Sequence, residues 1–301
     1  DKHTGTWLEV WSELTEPNPT GTVGFHVTGS KDLGTAFQRM SGMGGTTGVN
    51  GTAGHLHFVP LRFWFCRNPG LALPLIALQY HEVKVILEHR AGDIFSGNDD
   101  NKLWVDYIYL DTDERRRFAQ VSHEYLIEQL QYQDLDTNTT STATTLNFNH
   151  PVKELIWTKK PDGTGGTSDT LGTVVTSGDI DAGVKYHLKL NGHDRFAPRD
   201  ARYFTRQQVY DYHTGPGGLN SNAGLSTLLV SALNDSIAVY SFALKPEEHQ
   251  PSGTCNFSRI DNAQLLCTAS GSIGNDADTI FAVNYNVLRI MSGMGGLAYS
   301  N

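Results

Sequence analysis

The chain has 301 residues, enough for one large domain or two of average size. Apolar residues make up 39 %, and no apolar run approaches the roughly 20 residues that cross a bilayer, which excludes an integral membrane protein. With 23 lysines and arginines against 32 acidic residues, the net charge of −9 offers no cationic surface suited to duplex nucleic acid. The 31 glycines, 12 tyrosines and 13 phenylalanines favour short strands joined by tight turns, so we predict an all-β fold.

The three cysteines, Cys66, Cys255 and Cys267, form neither a closely spaced framework nor a CxxC pair. The sequence therefore predicts neither a disulfide scaffold nor a structural zinc site, and it fits a reducing compartment. Cys66 lies in an aromatic segment, which predicts a buried, unreactive thiol. No secretory signal is visible at the start of the sequence.

The first predicted element is a helix, because the apolar residues from Trp7 to Leu14 recur at spacings of three, four and seven. Thr6 and Glu9 predict a capping box at its start. Residues 20–57 follow, rich in Gly, Thr and Ser and without periodicity, and they predict a large exposed loop.

From residue 60 onward, apolar residues alternate with period two, which predicts β-strands. A phase slip near His81 predicts a bulge, and apolar residues on both faces of residues 102–110 predict burial on both sides. Asn191 and Gly192 predict a type I′ turn. The predicted strands cover residues 60–67, 74–90, 102–110, 122–132, 152–158, 184–190, 227–233, 236–244, 263–269 and 279–291.

Residues 134–145 contain almost no apolar side chains and are predicted to be a linker. This linker would separate a first domain, residues 1–133, from a second domain, residues 146–301. The turn spacing in both parts is typical of β-sandwiches, so the residues alone predict two sandwiches in tandem.

His55 and His57 are the sharpest metal candidates, because alternate residues of a strand point to the same face. A bicupin enzyme would need a glutamate and a third histidine nearby, and residues 58–65 supply neither. We therefore predict no metal site, and the bicupin enzyme is the most distant alternative.

The acidic residues Asp111, Asp113 and Glu114 could be paired carboxylates for glycoside hydrolysis. Three arginines follow them directly, a pattern that favours the solvated start of a helix of one or two turns. The sequence also lacks a nucleophile elbow and a phosphate-binding loop. We predict no catalytic residue, no cofactor and no enzymatic activity.

Four Asn-x-Ser/Thr sequons occur in the sequence. Asn50 and Asn138 lie in the segments predicted to be most exposed, and glycosylation is a hypothesis for these two. Asn234 and Asn256 carry the other two sequons.

Residues 242–259 match none of the catalytic patterns considered above, but their sequence, FALKPEEHQPSGTCNFSR, is distinctive. It resembles the FxLxPxxxxPSGxxNxSR segment in the major capsid proteins of nucleocytoplasmic large DNA viruses, the chlorella, phytoplankton, giant, irido- and African swine fever virus group. The residues that carry this family motif, with an expected structural role, are Leu244, Lys245, Pro246, Gln250, Pro251, Ser252, Gly253, Asn256 and Arg259.

Other passages resemble the same family and occur in its order. Residues 7–14 are similar to the helix entered from the first domain's early strands, and residues 61–65 with 71–75 to the paired strands after its long loop. Residues 148–155 are similar to the opening of the second domain, and residues 286–290 to its last strand.

The resemblance implies a double jelly roll, two tandem antiparallel jelly-roll β-sandwiches, of which the first lacks its early strands in this sequence. It implies a structural major capsid protein whose homotrimers form pseudo-hexagonal capsomers that tile an icosahedral shell. The expected partners are the chain itself, neighbouring capsomers and minor capsid proteins, over an internal membrane and without direct contact to nucleic acid. The expected location is the virion capsid, assembled in the host cytoplasm.

The same resemblance predicts that residues 20–57 and 161–182 build outward or inter-subunit surfaces. A carbohydrate-binding, lectin-like β-sandwich protein is the alternative, since it would share the Gly, Thr and aromatic composition and the lack of catalytic residues. A stable trimer favours the capsid protein, and a monomer retained on a glycan column favours the lectin.

Overall fold

The computed structural model describes residues 1–17, 35–41, 58–88, 101–135, 142–158, 180, 184–217, 219–221, 233–268 and 279–299. The chain divides into two compact units. Unit 1 holds residues 1–63 and 128–286, and unit 2 holds residues 64–127 and 287–300. No helix in the described ranges has the length and apolar character needed to cross a membrane.

Strands outnumber helices, as the composition predicts. The helices are α1 (Gly5–Thr15), α2 (Ala36–Ser41), α3 (Trp64–Arg67), α4 (Thr112–Gln120) and α5 (Gln208–Tyr212), the last preceded by a π-helical turn at Tyr203–Gln207. Short 3-10 turns lie at Pro69–Leu71 and Phe257–Arg259. The strands are β1 (His123–Asp134), β2 (Ala143–Thr145), β3 (Pro151–Thr158), β4 (Lys185–Leu190), β5 (His193–Asp194), β6 (Arg199–Asp200), β7 (Leu219–Ser221), β8 (Leu233–Asp235), β9 (Ile237–Ser241), β10 (Cys255–Asn256), β11 (Ala263–Cys267), β12 (Thr279–Met291) and β13 (Met294–Leu297).

Two antiparallel sheets form most of unit 1. The first has the order β1-β12-β3-β10, with β9 also paired to β3. The second has the order β2-β11-β4-β5, with β6 also paired to β4. Strands β7 and β8 pair separately. Neighbours in the sheets are far apart in sequence, as β3 and β12 are, which is typical of jelly rolls and not of hairpin meanders.

Alternate residues of the first sheet face the second sheet and build the main core. On β3, Leu155 and Trp157 point into this core, and on β12 Ile280 and Ala282 do so. Tyr186 of β4 meets Trp157 edge-on, with ring centroids 5.4 Å apart. Because side chains alternate along a strand, the intervening residues must face the other side of the first sheet.

Helix α1 covers that other side. Ile156, Val239 and Phe281 of the sheet pack with the apolar residues of the helix. Trp7 lies 5.2 Å from Phe281 between ring centroids. Every residue from Trp7 to Leu14 is buried. The first sheet is therefore sandwiched between the second sheet and α1, which explains why its strands are apolar on both faces.

The start of α1 differs from the prediction. Thr4 is the N-cap, and its hydroxyl accepts a hydrogen bond from the backbone N–H of Trp7. The predicted capping box of Thr6 and Glu9 is wrong, because Thr6 already lies within the helix and Glu9 is buried.

Most of the predicted loop 20–57 lies outside the described residues, as does most of 161–182. Within the first of these ranges, α2 forms a helix and buries Phe37 against the α1 side of the first sheet. The predicted exposed loop is wrong for this part, because one apolar residue inside a Gly-rich segment was enough to anchor a helical turn.

The ends of the predicted linker 134–145 are structured. Leu135 is buried in the main core, and β2 pairs with β11 from Ala143 to Thr145. The division of the chain into residues 1–133 and 146–301 stays a prediction.

Six of the predicted strands are confirmed as β1, β3, β4, β9, β11 and β12, and the bounds of β12 agree at both ends. The predicted strand 227–233 falls outside the described residues except Leu233, which begins β8. The predicted type I′ turn is confirmed, since Asn191 and Gly192 have φ values of 52° and 81°.

The strands predicted at 60–67 and 74–90, which fall mostly in unit 2, are wrong over their described residues. Residues 64–67 form α3, and residues 75–77 form a turn. The prediction of a buried Cys66 is also wrong: the residue lies on α3 with an exposed side chain. A small cluster of Ala77, Leu78 and Ile290 provides the core of this unit.

The strand predicted at 102–110 is also wrong: these residues form no strand in the structure, and Trp104 and Tyr109 are 83 % and 89 % exposed. Val83 and Ile86 are exposed in the same way. Alternation specifies the two faces of a strand, but a strand also needs a neighbour for its backbone hydrogen bonds. In the described part of unit 2 no such neighbour pairs with these segments.

Candidate functional site

The segment that carries the family motif, residues 242–259, lies against the first residues of β3. The backbone N–H groups of Phe242 and Ala243 both donate to the carbonyl oxygen of Lys153. Farther along the segment, Cys255 pairs with Val152. The segment therefore begins beside β3, at the end of β9, and pairs with β3 again as β10. It forms a loop whose two ends are both held to β3 by backbone contacts.

Hydrogen bonds inside this loop explain several motif residues. The backbone N–H of Lys245 donates to the hydroxyl of Ser252 at 2.9 Å. The backbone N–H of Leu244 donates to the carbonyl oxygen of Ser252. Gly253 has a φ of 145°, and a Cβ there would lie 2.6 Å from the carbonyl oxygen of Phe242. Only glycine fits this close approach without displacing backbone.

The end of the loop is capped by a polar side chain. The side-chain oxygen of Asn256 accepts from the N–H of Ser258 at 3.1 Å and begins the 3-10 turn. The hydroxyl of Ser258 accepts from the N–H of His150, whose backbone is left-handed with φ 69°. Phe257 is buried in the main core below.

The remaining motif residues differ in exposure. Leu244 is 74 % exposed, and the ammonium group of Lys245 contacts the Glu248 carboxylate at 2.9 Å on the surface. Pro246 is buried. Gln250, Pro251 and Arg259 are exposed.

A buried ion pair lies under the loop. The Nζ of Lys153 is 2.9 Å from Oε1 of Glu128, and both side chains are almost completely buried. The same ammonium group donates to the carbonyl oxygen of Pro246 and lies 5.5 Å from the ring centre of Tyr285. Burial raises the pKa of the Tyr285 hydroxyl, and the charge of Glu128 adds to this effect.

A second buried group centres on His213, directly after α5. Its Nε2 is 3.1 Å from Oε2 of Glu154, and its Nδ1 is 3.1 Å from Oε1 of Glu247. Burial alone would lower the pKa of His213, but hydrogen bonds and charge from the two carboxylates outweigh it and raise the pKa to about 9. His213 is therefore an imidazolium ion at neutral pH.

The pKa of Glu247 is shifted in the opposite direction to that of His213. Burial alone would raise its pKa, but hydrogen bonds from His213 and from Thr214 outweigh this effect, so that the pKa lies below its ordinary value. The carboxylate receives the backbone N–H of Thr214 at 2.8 Å and its hydroxyl at 2.9 Å. These contacts attach the motif loop to the segment after α5.

The segment after α5 is also hydrogen-bonded to the end of α1. The N–H of Gly215 donates to the carbonyl oxygen of Leu14 at 2.7 Å, and the N–H of Gly217 donates to that of Glu13 at 2.9 Å. The hydroxyl of Thr214 is also 2.9 Å from the carbonyl oxygen of Thr15, so its single proton is shared between this oxygen and the Glu247 carboxylate. The ionic network thus joins the first sheet, the motif loop, α1 and α5. The side chains of His213 and Glu154 are completely buried, and that of Glu247 is partly buried.

The predicted chemical candidates have separate outcomes. His55, His57, Asn50 and Asn138 lie outside the described residues. Across the ranges that the structure describes, no three His, Cys, Asp or Glu side chains form a group able to hold a metal ion. The predicted helix start at residues 111–114 is confirmed: Asp111 caps α4, and Glu114 completes a capping box.

The buried ionic groups were not predicted from the sequence. Two consecutive charged residues, Lys153 and Glu154, stand in the middle of an otherwise apolar strand, and this was the available signal. Their partners are distant in sequence, so the spacing of residues could not identify them. The missed residues are Glu128, Lys153, Glu154, His213 and Glu247.

Comparison with known proteins gives two family matches. Residues 114–296 match the family described as large eukaryotic DNA virus major capsid protein, and residues 1–111 match the family described as major capsid protein N-terminus. Together the two matches include the described helices and strands of both units, apart from the first two residues of α4 and the last residue of β13.

The chain is also similar to individual capsid proteins. It is 50 % identical to the major capsid protein of Pyramimonas orientalis virus, covering all of this chain and 73 % of that protein. It is 36 % identical to the major capsid protein of Phaeocystis pouchetii virus, covering all of this chain and 78 % of that protein. Both relatives match the chain from end to end, which the sequence motifs alone could not establish.

A solved structure supports the fold. The crystal structure of PBCV-1 VP54, fitted into a reconstruction of the virophage Sputnik, matches with a TM-score of 0.63 at 34 % identity. The match covers all of this chain and 80 % of that one. The predicted double jelly-roll fold is confirmed, and the carbohydrate-binding alternative receives no support.

Proposed function

The chain belongs to the major capsid protein family of large eukaryotic DNA viruses, and from this premise we propose that three copies form a pseudo-hexagonal capsomer. The chain is a structural protein of the virion capsid. The end-to-end similarity to a viral major capsid protein at 50 % identity is the observation that carries the proposal. Three subunits with two jelly rolls each would present six similar blocks, which suits hexagonal tiling of an icosahedral shell.

The site supports a structural role. The buried charges beside the motif loop, Lys153 with Glu128 and His213 with Glu154, are paired with one another and screened from solvent, so they hold elements together and offer no reactive group to a substrate. We propose accordingly that the chain has no enzymatic activity. The motif residues from Leu244 to Arg259 would fix the loop between β9 and β10 as a rigid part of the subunit surface.

The capsomer is expected to contact neighbouring capsomers and minor capsid proteins. In this proposal it lies over an internal membrane, away from nucleic acid, and assembles in the host cytoplasm. The net charge of −9 supports separation from the genome, because an acidic coat repels the phosphate backbone. The glycosylation proposed for Asn50 and Asn138 is tested by peptide mass mapping of capsid protein taken from virions.

For the domain division, we propose that residues 146–301 form the second jelly roll and that residues 1–133 belong to the first. The strands β3 to β12 of the two unit 1 sheets lie in the second range, which supports this division. Cleavage of the native protein within residues 134–145, with the second fragment remaining folded, is the expected result of limited proteolysis.

Light scattering after gel filtration tests the capsomer. The expected mass is three times 33.1 kDa, stable on dilution. Electron microscopy of the same fractions should show hexagonal particles. A monomer at all concentrations would contradict the proposal.

A further inference from the structure

A cluster of cations lies along one edge of the second sheet. Residues 185–206 hold six of the 23 lysines and arginines but only two of the 32 acidic residues. The rest of the chain therefore carries 17 cations against 30 acids. A strongly basic segment in an acidic protein calls for a physical explanation, since like charges placed close together repel.

Backbone pairing fixes this segment in place. Strands β5 and β6 both pair with β4, so that Lys185 lies opposite Asp200 and Tyr186 opposite Arg199. Between them the N–H of Arg195 donates to the carbonyl oxygen of Leu188 at 2.8 Å. The cations are thus displayed from a hydrogen-bonded sheet edge.

Four of these cations, Lys185, Arg195, Arg199 and Arg202, are exposed, and we call them the basic edge. None of the four forms an ion pair with a carboxylate in the part of the chain that the structure describes. Asp200 accepts the backbone N–H of Arg202, and Asp194 contacts Lys189 instead. The charges of the basic edge remain available to an outside partner.

Aromatic side chains lie among these charges. The guanidinium group of Arg199 lies over the ring of Tyr203, 4.2 Å from its centre. Phe196 packs on Tyr240 with ring centroids 4.7 Å apart. Burial raises the pKa of the Tyr240 hydroxyl, and the charges of Arg195 and Arg199 act against that rise, so both guanidinium groups act on this hydroxyl. Arginine beside tyrosine is the composition found at the energetic centres of protein interfaces.

We propose that the basic edge is an assembly surface that binds the acidic surface of a second copy of this chain. A ring of identical subunits needs two different complementary patches on each subunit. The excess of acids outside residues 185–206 supplies the opposite charge, and arginine binds carboxylates in a bidentate geometry that lysine cannot match. This inference rests on the proposed capsomer and assigns one of its contact surfaces.

A charge-reversal variant tests the assignment. In R195E/R199E/R202E, three side chains that lie outside the hydrophobic clusters change sign. The matched control is R115E/R116E/R117E on α4, where three exposed arginines change sign and the net charge shifts equally. The neutral variant R195Q/R199Q/R202Q serves if the reversed protein does not fold, as judged by circular dichroism.

Light scattering over a range of concentrations and salt is the measurement. We expect the wild type and the control to be trimers, and the basic-edge variant to dissociate at concentrations at least about tenfold higher than they do. Raising the salt concentration should weaken the wild-type trimer and have less effect on the neutral variant.

The other outcomes are separable. If all three proteins are trimers of equal stability, the assignment is overturned and the capsomer proposal stands. If the wild type is monomeric throughout, both fall. If the basic-edge variant remains a trimer but loses binding to phosphatidylserine vesicles that the control retains, the surface binds an anionic membrane and the assignment is overturned.

Discussion

The Nε2 atom of His213 lies 3.1 Å from Oε2 of Glu154, and neither side chain reaches solvent. His213 is the ion-pair partner of Glu154 among the described residues, so its positive charge is the main compensation for this buried carboxylate. Replacing one partner of a buried pair leaves the other charge uncompensated, which costs much more than the pair itself contributes.

We expect His213→Gln to lower the free energy of unfolding by about 3–5 kcal/mol. Urea denaturation followed by tryptophan fluorescence measures this change. The double variant H213Q/E154Q removes both charges and should recover part of the loss. Equal destabilisation in the single and double variants would mean that the two side chains do not compensate each other.

Stability should also depend on pH through His213. Its pKa is raised in the folded protein to about 9 from an ordinary value of 6.5, so the folded state binds the proton more tightly. The stabilisation is fully present below pH 6.5 and is lost as the pH rises through about 9, amounting to about 3 kcal/mol.

Denaturation of the wild type and of H213Q between pH 6 and pH 10 measures this contribution. The wild type should lose stability over the range and H213Q should lose less, so that the two curves converge at high pH. Parallel curves for the two proteins would contradict the assignment of the alkaline loss to His213.

On the acid side, Glu247 also makes stability depend on pH. Because its pKa in the folded protein is lowered, it contributes stability that is present above its ordinary pKa of 4.5 and is lost as the pH falls through the folded pKa.

The strands of unit 1 could be predicted because their pattern and their pairing agree. On β3 and β12, apolar residues on both faces predict two-sided burial, and α1 and the second sheet supply the two covering layers. Residues 102–110 carry the same pattern but have no paired neighbour in the described structure, and they form no strand. Alternation identifies faces, while pairing depends on other parts of a chain.

The buried ionic groups could not be predicted for a related reason. Lys153 and Glu154 look like solvent-exposed charges in the sequence. The register between β3 and β12 also shifts at this point, from Glu154 opposite Val283 to Val152 opposite Asn284, so regular alternation does not predict which way the two side chains point. Both sides are covered in the folded protein, and the compensating groups come from positions such as Glu128 and His213. Only the tertiary structure brings these groups together.

The ion pair of Lys153 and Glu128 predicts a contrast between buried and exposed lysines. We expect Lys153→Met to lower the free energy of unfolding by about 3–5 kcal/mol, because the buried Glu128 carboxylate would lose its salt bridge to Lys153 and the Pro246 carbonyl oxygen would lose the ammonium donor. The matched control is Lys245→Met, which removes a surface ion pair with Glu248 and should leave the denaturation midpoint nearly unchanged.

Chemical denaturation of both methionine variants provides the comparison. The double variant K153M/E128Q should be more stable than K153M, since it also removes the buried negative charge that lost its salt bridge to Lys153. If K153M were as stable as K245M, the ion pair under the motif loop would contribute nothing to the fold.

Gly253 offers a test of the motif loop itself. With φ 145° and a Cβ position 2.6 Å from the carbonyl oxygen of Phe242, an alanine there strains its own backbone and clashes with that of a neighbour. We expect Gly253→Ala to destabilise the protein by roughly 1–3 kcal/mol. The matched control is Gly296→Ala, where a Cβ meets nothing within 4 Å. Thermal unfolding of both variants measures the difference.

Because the hydrogen bonds of Leu244 and Lys245 to Ser252 depend on this turn, amide exchange of those two groups should accelerate in G253A and stay unchanged in G296A. Unchanged exchange with lowered stability would show that the strain is absorbed elsewhere, and the loop would then not be held by its glycine.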